Sequence, residues 1–255
     1  MKIPVLKGLI KRRLLVNFRA DPEIVQRLIP PPFLPKLHCG NSIIGVCLIR
    51  LEQIRPLGLP GVIGISSENA AHRIAVEWTD KTGRLCEGVY IPRRDSGSFI
   101  NQLAGGRLFP GEHHPARFDV HDDGKQIDFA MESMDKAVSV RLIGSQTDSL
   151  PPSSCFSCLS EASSFFEGGS IGYSETSEFE RLDGIRLETL EWRVYALKVE
   201  SVYSSYYADY QRFPEGSVVF DHALIMRDIE HEWHKEADLF PSQLSPLPNS
   251  PLSQL

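Results

Sequence analysis

The chain has 255 residues, 42% of them hydrophobic and 24% charged, with a formal net charge of −6. That length suits one large domain or two small ones, and a chain of this size buries roughly three quarters of its unfolded surface without needing disulfides. The acidic balance argues against general nucleic-acid binding, which requires a basic face to displace counterions, though it leaves room for a local basic patch that holds a small anion.

The N-terminus, MKIPVLKGLIKRRLL, starts like a signal peptide. Lys7 and Lys11-Arg12-Arg13 then interrupt the apolar run. No stretch approaches the roughly 18 apolar residues of a membrane span. The expected location is therefore cytoplasmic, with no membrane partner and no nucleic-acid partner. ADPEIVQRLIP (Ala20–Pro30) reads as a helix. Asp21 can accept the free amide hydrogens of the first turn, and Pro22 suits the first helical position. Ile24, Val25, Leu28 and Ile29 share one face, and Pro30-Pro31-Pro32 stops the helix.

Strand patterns dominate from there. NSIIGVCLIRLEQI (Asn41–Ile54), HRIAVEW (His72–Trp78) and LCEGVYIP (Leu85–Pro92) are rich in β-branched and apolar residues. Ser66-Ser67-Glu68-Asn69 reads as a turn, with Glu68 as a carboxylate that can face a cavity. A helix is expected at Ser96–Leu108. Phe118 to Ser133 alternates around Asp122-Asp123-Gly124-Lys125, a hairpin pattern. Lys136–Gly144, Thr189–Val202 and Ser217–Ile229 complete the strands, and Ser157–Gly169 is a further helix ending at Gly168-Gly169. Many antiparallel strand patterns with few helices predict a mainly β, β-rich α+β fold, a sheet that closes or curls. The expected organisation is one domain over residues 1–238 and a disordered Pro/Ser-rich tail over 239–255.

Four clusters can carry chemistry. Arg93-Arg94-Asp95 follows the strand that ends at Pro92. Neighbours in an extended segment point to opposite faces, so one arginine faces inward and the other outward. A buried guanidinium stays protonated and needs a carboxylate or a bound anion, with Asp95 or Glu68 as the internal candidates; the plainer reading is a solvated loop. His113-His114 in GEHHPARF can move a proton or bind a metal, or simply form a turn into the hairpin. DIEHEWH (Asp228–His234) places His231 and His234 three apart, on one face if helical, but it is not HExxH and reads as a polar terminal segment. Cys155 and Cys158 form a CxxC without a second ligand pair, so ordinary thiols are expected, with redox or metal use as the alternative. No metal site and no cofactor are assigned. There is no GxSxG elbow, P-loop or GxGxxG.

RRLLVNFRADPEIVQRLIPPPFLP, GVCLIRLEQIRPLGLPG, SSENAAHR and GVYIPRRDSGSFINQLAGGRLFPGEHHPARF, in that order and spacing, resemble the YqjF-like family of uncharacterised proteins. Through it the chain looks like the acetoacetate decarboxylase superfamily. The resemblance implies a mostly antiparallel β-barrel enclosing a small pocket, with a few peripheral helices. In the decarboxylases, Phe-Pro precedes two lysines, one forming a Schiff base and the other lowering its pKa. Here the string is Ile91-Pro92-Arg93-Arg94, and a guanidinium cannot serve as that amine. Decarboxylase activity is therefore not expected; Lys198 is the one other lysine considered for an inward position. The resemblance also puts Glu68 near the family's pocket glutamate and Arg12 or Arg13 near its pocket arginine. The candidate ligand-binding residues are Arg93, Arg94, Glu68, Arg13, His113 and His114, for an anionic or carbonyl-containing small molecule. The alternatives are a lyase- or hydrolase-like enzyme acting on a keto acid without Schiff-base chemistry, and a structural or interaction protein using its tail. Homo-oligomerisation is expected only by analogy with the superfamily.

Overall fold

The computed structural model describes residues 4–98, 111–176 and 181–240. Thirteen strands form one sheet. They are β1 (Leu6–Ala20), β2 (Leu34–Pro35), β3 (Leu37–His38), β4 (Asn41–Pro56), β5 (Ile65–Thr79), β6 (Leu85–Ser96) and β7 (His113–Asp122), then β8 (Gln126–Ser133), β9 (Ser139–Thr147), β10 (Ile171–Glu175), β11 (Leu182–Thr189), β12 (Tyr195–Ser204) and β13 (Val218–Leu239). Among the described residues two short α-helices, α1 (Pro22–Gln26) and α2 (Leu159–Glu167), interrupt them. Asp21 caps α1 through Glu23 N at 2.8 Å, as its position predicted. The expected helix at Ser96–Leu108 and the expected tail fall almost wholly outside the described residues; Ser96 itself ends β6. No described helix is long and apolar enough to cross a membrane.

The sheet closes on itself because its longest strands change partners along their length. The N-terminal part of β13 pairs with β12 and its C-terminal part with β11. Strand β6 pairs with β10 around Val89–Tyr90 and with β7 from Arg94 to Ser96. With β5 also bonded to β6, two circuits result. The larger runs β6-β7-β8-β9-β12-β13-β1-β4-β5, and the smaller runs β6-β10-β11-β13-β1-β4-β5. Five strands are common to both. Most pairings are antiparallel, but β6–β7 and β6–β10 are parallel, so the sheet is mixed.

Strand alternation gives the shared strands two buried faces. Leu14, Val16, Leu48, Ile74 and Tyr90 point to one apolar core, together with Phe129, Leu142 and Tyr207. Leu15, Cys47, Ile49 and Ala75 point to the other, which α2 covers with Ala162 and Phe166. Each fully buried large side chain contributes about 1.5–3 kcal/mol of transfer free energy. That explains why runs such as SIIGVCLI read as continuously apolar rather than alternating.

Several boundaries differ from the sequence reading. Pro92 does not end its strand: β6 continues through Arg93, Arg94 and Asp95 to Ser96, and the register slips opposite His72–Ile74. A proline is tolerated at such an irregularity because the ladder requires no amide hydrogen there. Ser66-Ser67-Glu68-Asn69 is strand, not turn. His113-His114 begin β7 rather than forming a turn. DIEHEWH continues β13 instead of forming a polar terminal segment, so His231 and His234 lie on opposite faces. The charged N-terminal stretch is itself a strand, β1, and its Lys11 reaches solvent.

Candidate functional site

A cavity of about 150 Å³ lies on the second face, within the smaller circuit. All seven strands of that circuit contribute to its wall, and Phe166 and Glu167 of α2 close one side. The reason for a hollow is visible in the register. Leu15, Cys47, Ala71 and Arg94 form one row across β1, β4, β5 and β6. Asn17, Gly45 and Arg73 form the next row on one side, and Arg13, Ile49, Asn69 and Ser96 the row on the other. Gly45, Cys47 and Ala71 are small, so the middle of this patch has little side-chain volume. Each of the three rows supplies one arginine. The remaining wall is largely apolar, with Leu51, Ile91, Ile185, Leu187, Trp192 and Trp233. Trp192 is fixed to α2 by its indole N–H, which donates to Ser163 Oγ at 3.0 Å.

The three arginines share an electrostatic property. Arg13 donates from Nε to Cys47 Sγ at 3.4 Å and lies 5.9 Å from the Trp192 ring centroid. Its Nη1 is buried without a hydrogen-bond partner. Arg73 is only 3% exposed. It donates from Nη2 to Asn17 Oδ1 and packs 4.8 Å from the Phe166 ring, and its Nε has no partner. Arg94 donates from Nε to Ser174 Oγ at 3.1 Å, and its buried Nη2 is unpaired. No ion pair joins any of the three to a carboxylate among the described residues. Glu167 is exposed at the rim, and Asp95 turns its carboxylate to Arg93. Burial pulls the guanidinium pKa of Arg73 and of Arg94 down to about 10, which still leaves both charged at neutral pH.

Asn17 is itself held from behind. Its Nδ2 donates to His222 Nε2 at 3.0 Å, and His222 Nδ1 donates to Asp221 Oδ2 at 2.5 Å. This chain fixes the amide orientation that presents Asn17 Oδ1 to Arg73.

The other arginines of the same strands are compensated. Arg93 donates to both oxygens of Asp95, at 3.1 Å from Nε and 2.9 Å from Nη2, and to Asp135 at 2.9 Å. Asp95 is fully buried; burial raises its pKa, and Arg93 opposes that rise. Arg12 donates to Glu68 at 2.8 Å and lies 3.5 Å from Asp122, which Arg227 also binds. Burial likewise raises the Glu68 pKa against Arg12. His114 sits 3.6 Å from Asp135.

Of the six sequence candidates, Arg13, Arg94 and His113 line the cavity, whereas Arg93, Glu68 and His114 belong to ion pairs outside it. Arg73 and Trp192 were missed. A lone arginine in HRIAVEW carries no local signal, and only the cross-strand register reveals it. Lys198 is exposed and does not point inward. No lysine lines this cavity; Lys36 lines a smaller neighbouring one and is ion-paired to Glu87 at 2.7 Å. Cys155 and Cys158 are free thiols, as are the other three cysteines. No cluster of three or more histidine, cysteine or acidic side chains able to hold a metal occurs among the described residues.

Solved structures of acetoacetate decarboxylase-like proteins share this fold. An acetoacetate decarboxylase-like enzyme from Sphingomonas wittichii RW1 superposes with TM-score 0.56 at 14% identity, covering 94% of each chain. Acetoacetate decarboxylase from Legionella pneumophila gives TM-score 0.55 at 11% identity, over 91% of this chain and 87% of that one. The enduracididine biosynthesis enzyme MppR, complexed with pyruvate, gives 0.56 at 13% identity, over 95% and 92%. At these identities the likeness defines the fold. The chain belongs to the uncharacterized conserved protein family DUF2071, whose model matches residues 10–216. No curated protein matches the sequence.

Proposed function

We propose that this protein binds an anionic small molecule in the cavity lined by Arg13, Arg73 and Arg94, and that it does so without Schiff-base chemistry. The observation that carries the reading is the set of three guanidinium groups gathered on one hollow with no carboxylate partner among the described residues. Burying an uncompensated charge is costly, and a bound anion supplies what the chain does not. Guanidinium forks match a carboxylate by paired hydrogen bonds. The apolar wall suits a ligand with a hydrocarbon portion. The pyruvate bound to MppR, a carboxylate in a related fold, is consistent with this ligand class. The lack of a lysine among the described residues of the cavity wall argues against an imine intermediate.

Thermal unfolding against small carboxylates, keto acids and phosphates tests the reading. A ligand at 100 times its dissociation constant adds about 2.7 kcal/mol of stability. The expected result is a rise in midpoint for wild type that disappears in Arg13→Met/Arg94→Met. A wild type indifferent to every anion of the panel would sink the proposal. A catalytic reading is favoured by one observation, His113 and Asn69 on the cavity wall beside the arginines. Turnover of a bound keto acid that falls on His113→Gln, with binding retained, is its test.

A further inference from the structure

The charge count of the cavity narrows the ligand further. We infer that the site takes a short dicarboxylate, with one carboxylate between Arg13 and Arg73 and the other at Arg94. This rests on the anion-binding reading above and goes beyond it by assigning two separate heads.

The arginines are not one cluster. Arg13 and Arg73 both also line a second hollow of about 30 Å³, bounded by Lys36, Phe165 and Phe166, whereas Arg94 does not. Arg13 is near enough to Arg73 to press its pKa down, after burial as the main cause. Among the described residues no cation presses on Arg94 in this way. Arg94 is anchored instead to Ser174 on β10, the strand that borders β6 on the side away from β5. Cys47 and Ala71, in the same row as Arg94, leave room for a hydrocarbon body but offer no charge. The free donors follow the same division: Arg13 Nη1 and Arg73 Nε at one end, Arg94 Nη2 at the other.

A monocarboxylate would neutralise one end and leave the other buried and unpaired. A phosphomonoester concentrates its charge in one head and has the same deficiency. A dicarboxylate answers both ends, and the exposed Glu167 at the rim discourages a third negative group. A hollow of about 150 Å³ holds a body of roughly benzene size. That size favours the shortest of the four- to six-carbon diacids.

Isothermal titration of the full chain at pH 7 with succinate, glutarate and adipate, against butanoate, pentanoate, hexanoate and butyl phosphate, decides the matter. In wild type the best diacid is expected to bind at least ten-fold more tightly than the monoacid of equal carbon number and than butyl phosphate. In Arg94→Met that ratio falls to about one. Arg13→Met, the second variant, weakens monoacids and diacids alike. Equal binding of monoacids and diacids to wild type overturns the inference but leaves the anion site standing. So does a ratio that survives Arg94→Met, or butyl phosphate binding best. No heat from any anion with wild type overturns the anion-binding reading as well.

Discussion

Arg12 and Arg13 are neighbours in β1, as are Arg93 and Arg94 in β6, yet the members of each pair live in different electrostatic worlds. On the face toward the larger core, Arg12 and Arg93 meet Glu68, Asp122, Asp95 and Asp135. On the opposite face, Arg13 and Arg94 join Arg73 around a hollow, and among the described residues the three meet a thiol, a hydroxyl, an amide oxygen and aromatic rings but no carboxylate. The same residue type, one position apart, is ion-paired on one side and without a carboxylate partner among the described residues on the other. A paired buried charge is tied to its neighbours, and removing one partner strands the other; an unpaired one burdens the folded state until something binds.

The contrast predicts opposite signs for matched substitutions. The largest effect is expected for Arg93→Met. It strands the fully buried Asp95 and should cost about 3–5 kcal/mol in urea unfolding. A loss below about 1 kcal/mol would mean that the Arg93–Asp95 pair is not what holds this side together.

His72 gives the next effect. It is fully buried on the paired side, stacked on Tyr206 at 4.5 Å between ring centroids, and burial lowers its pKa from 6.5 to about 3. The unfolded chain therefore binds a proton below pH 6.5 that the folded chain refuses until about pH 3. The stability His72 contributes is complete above pH 6.5. It is lost as pH falls through that window, at up to about 1.4 kcal/mol per pH unit. At pH 5 the loss is about 2 kcal/mol, and His72→Gln should show a shallower dependence between pH 6.5 and 4. Parallel curves for the two proteins would show that His72 ionises while folded.

Arg94→Met sharpens the comparison most directly. Without ligand it removes an uncompensated buried charge, so stability should hold or rise by up to about 1 kcal/mol. A loss as large as that of Arg93→Met would abolish the distinction between the two faces. The smallest effect is expected for Lys11→Gln. Lys11 pairs with Asp228 at 2.6 Å, but both side chains are at least half exposed. Solvent and salt screen such a pair, and the change should fall below about 0.5 kcal/mol.

Much of this was legible from residues alone. Asp21-Pro22 marked a helix start, and the β-branched runs marked β4 and the core of β5. The arginine doublets carried their own geometry, because strand alternation sends consecutive side chains to opposite faces. The ends of strands were less legible. Pro92 reads as a terminator, yet a register slip beside it lets β6 run on to Ser96. Lys7 and Lys11-Arg12-Arg13 disguised β1, since charges spaced through an apolar run resemble a loop until one knows that Lys11 reaches solvent and Arg12 finds Glu68.

The sequence by itself determined the class of fold and the positive charge at β1 and β6. Those follow from local propensity and from the fixed chemistry of guanidinium. Only the tertiary structure decided which arginines go unpaired. Arg13, Arg73 and Arg94 are far apart in the chain and meet because β1, β4, β5 and β6 align in one register. Whether a charge is compensated depends on what the closed sheet brings within about 4 Å of it, and no window of sequence contains that distance.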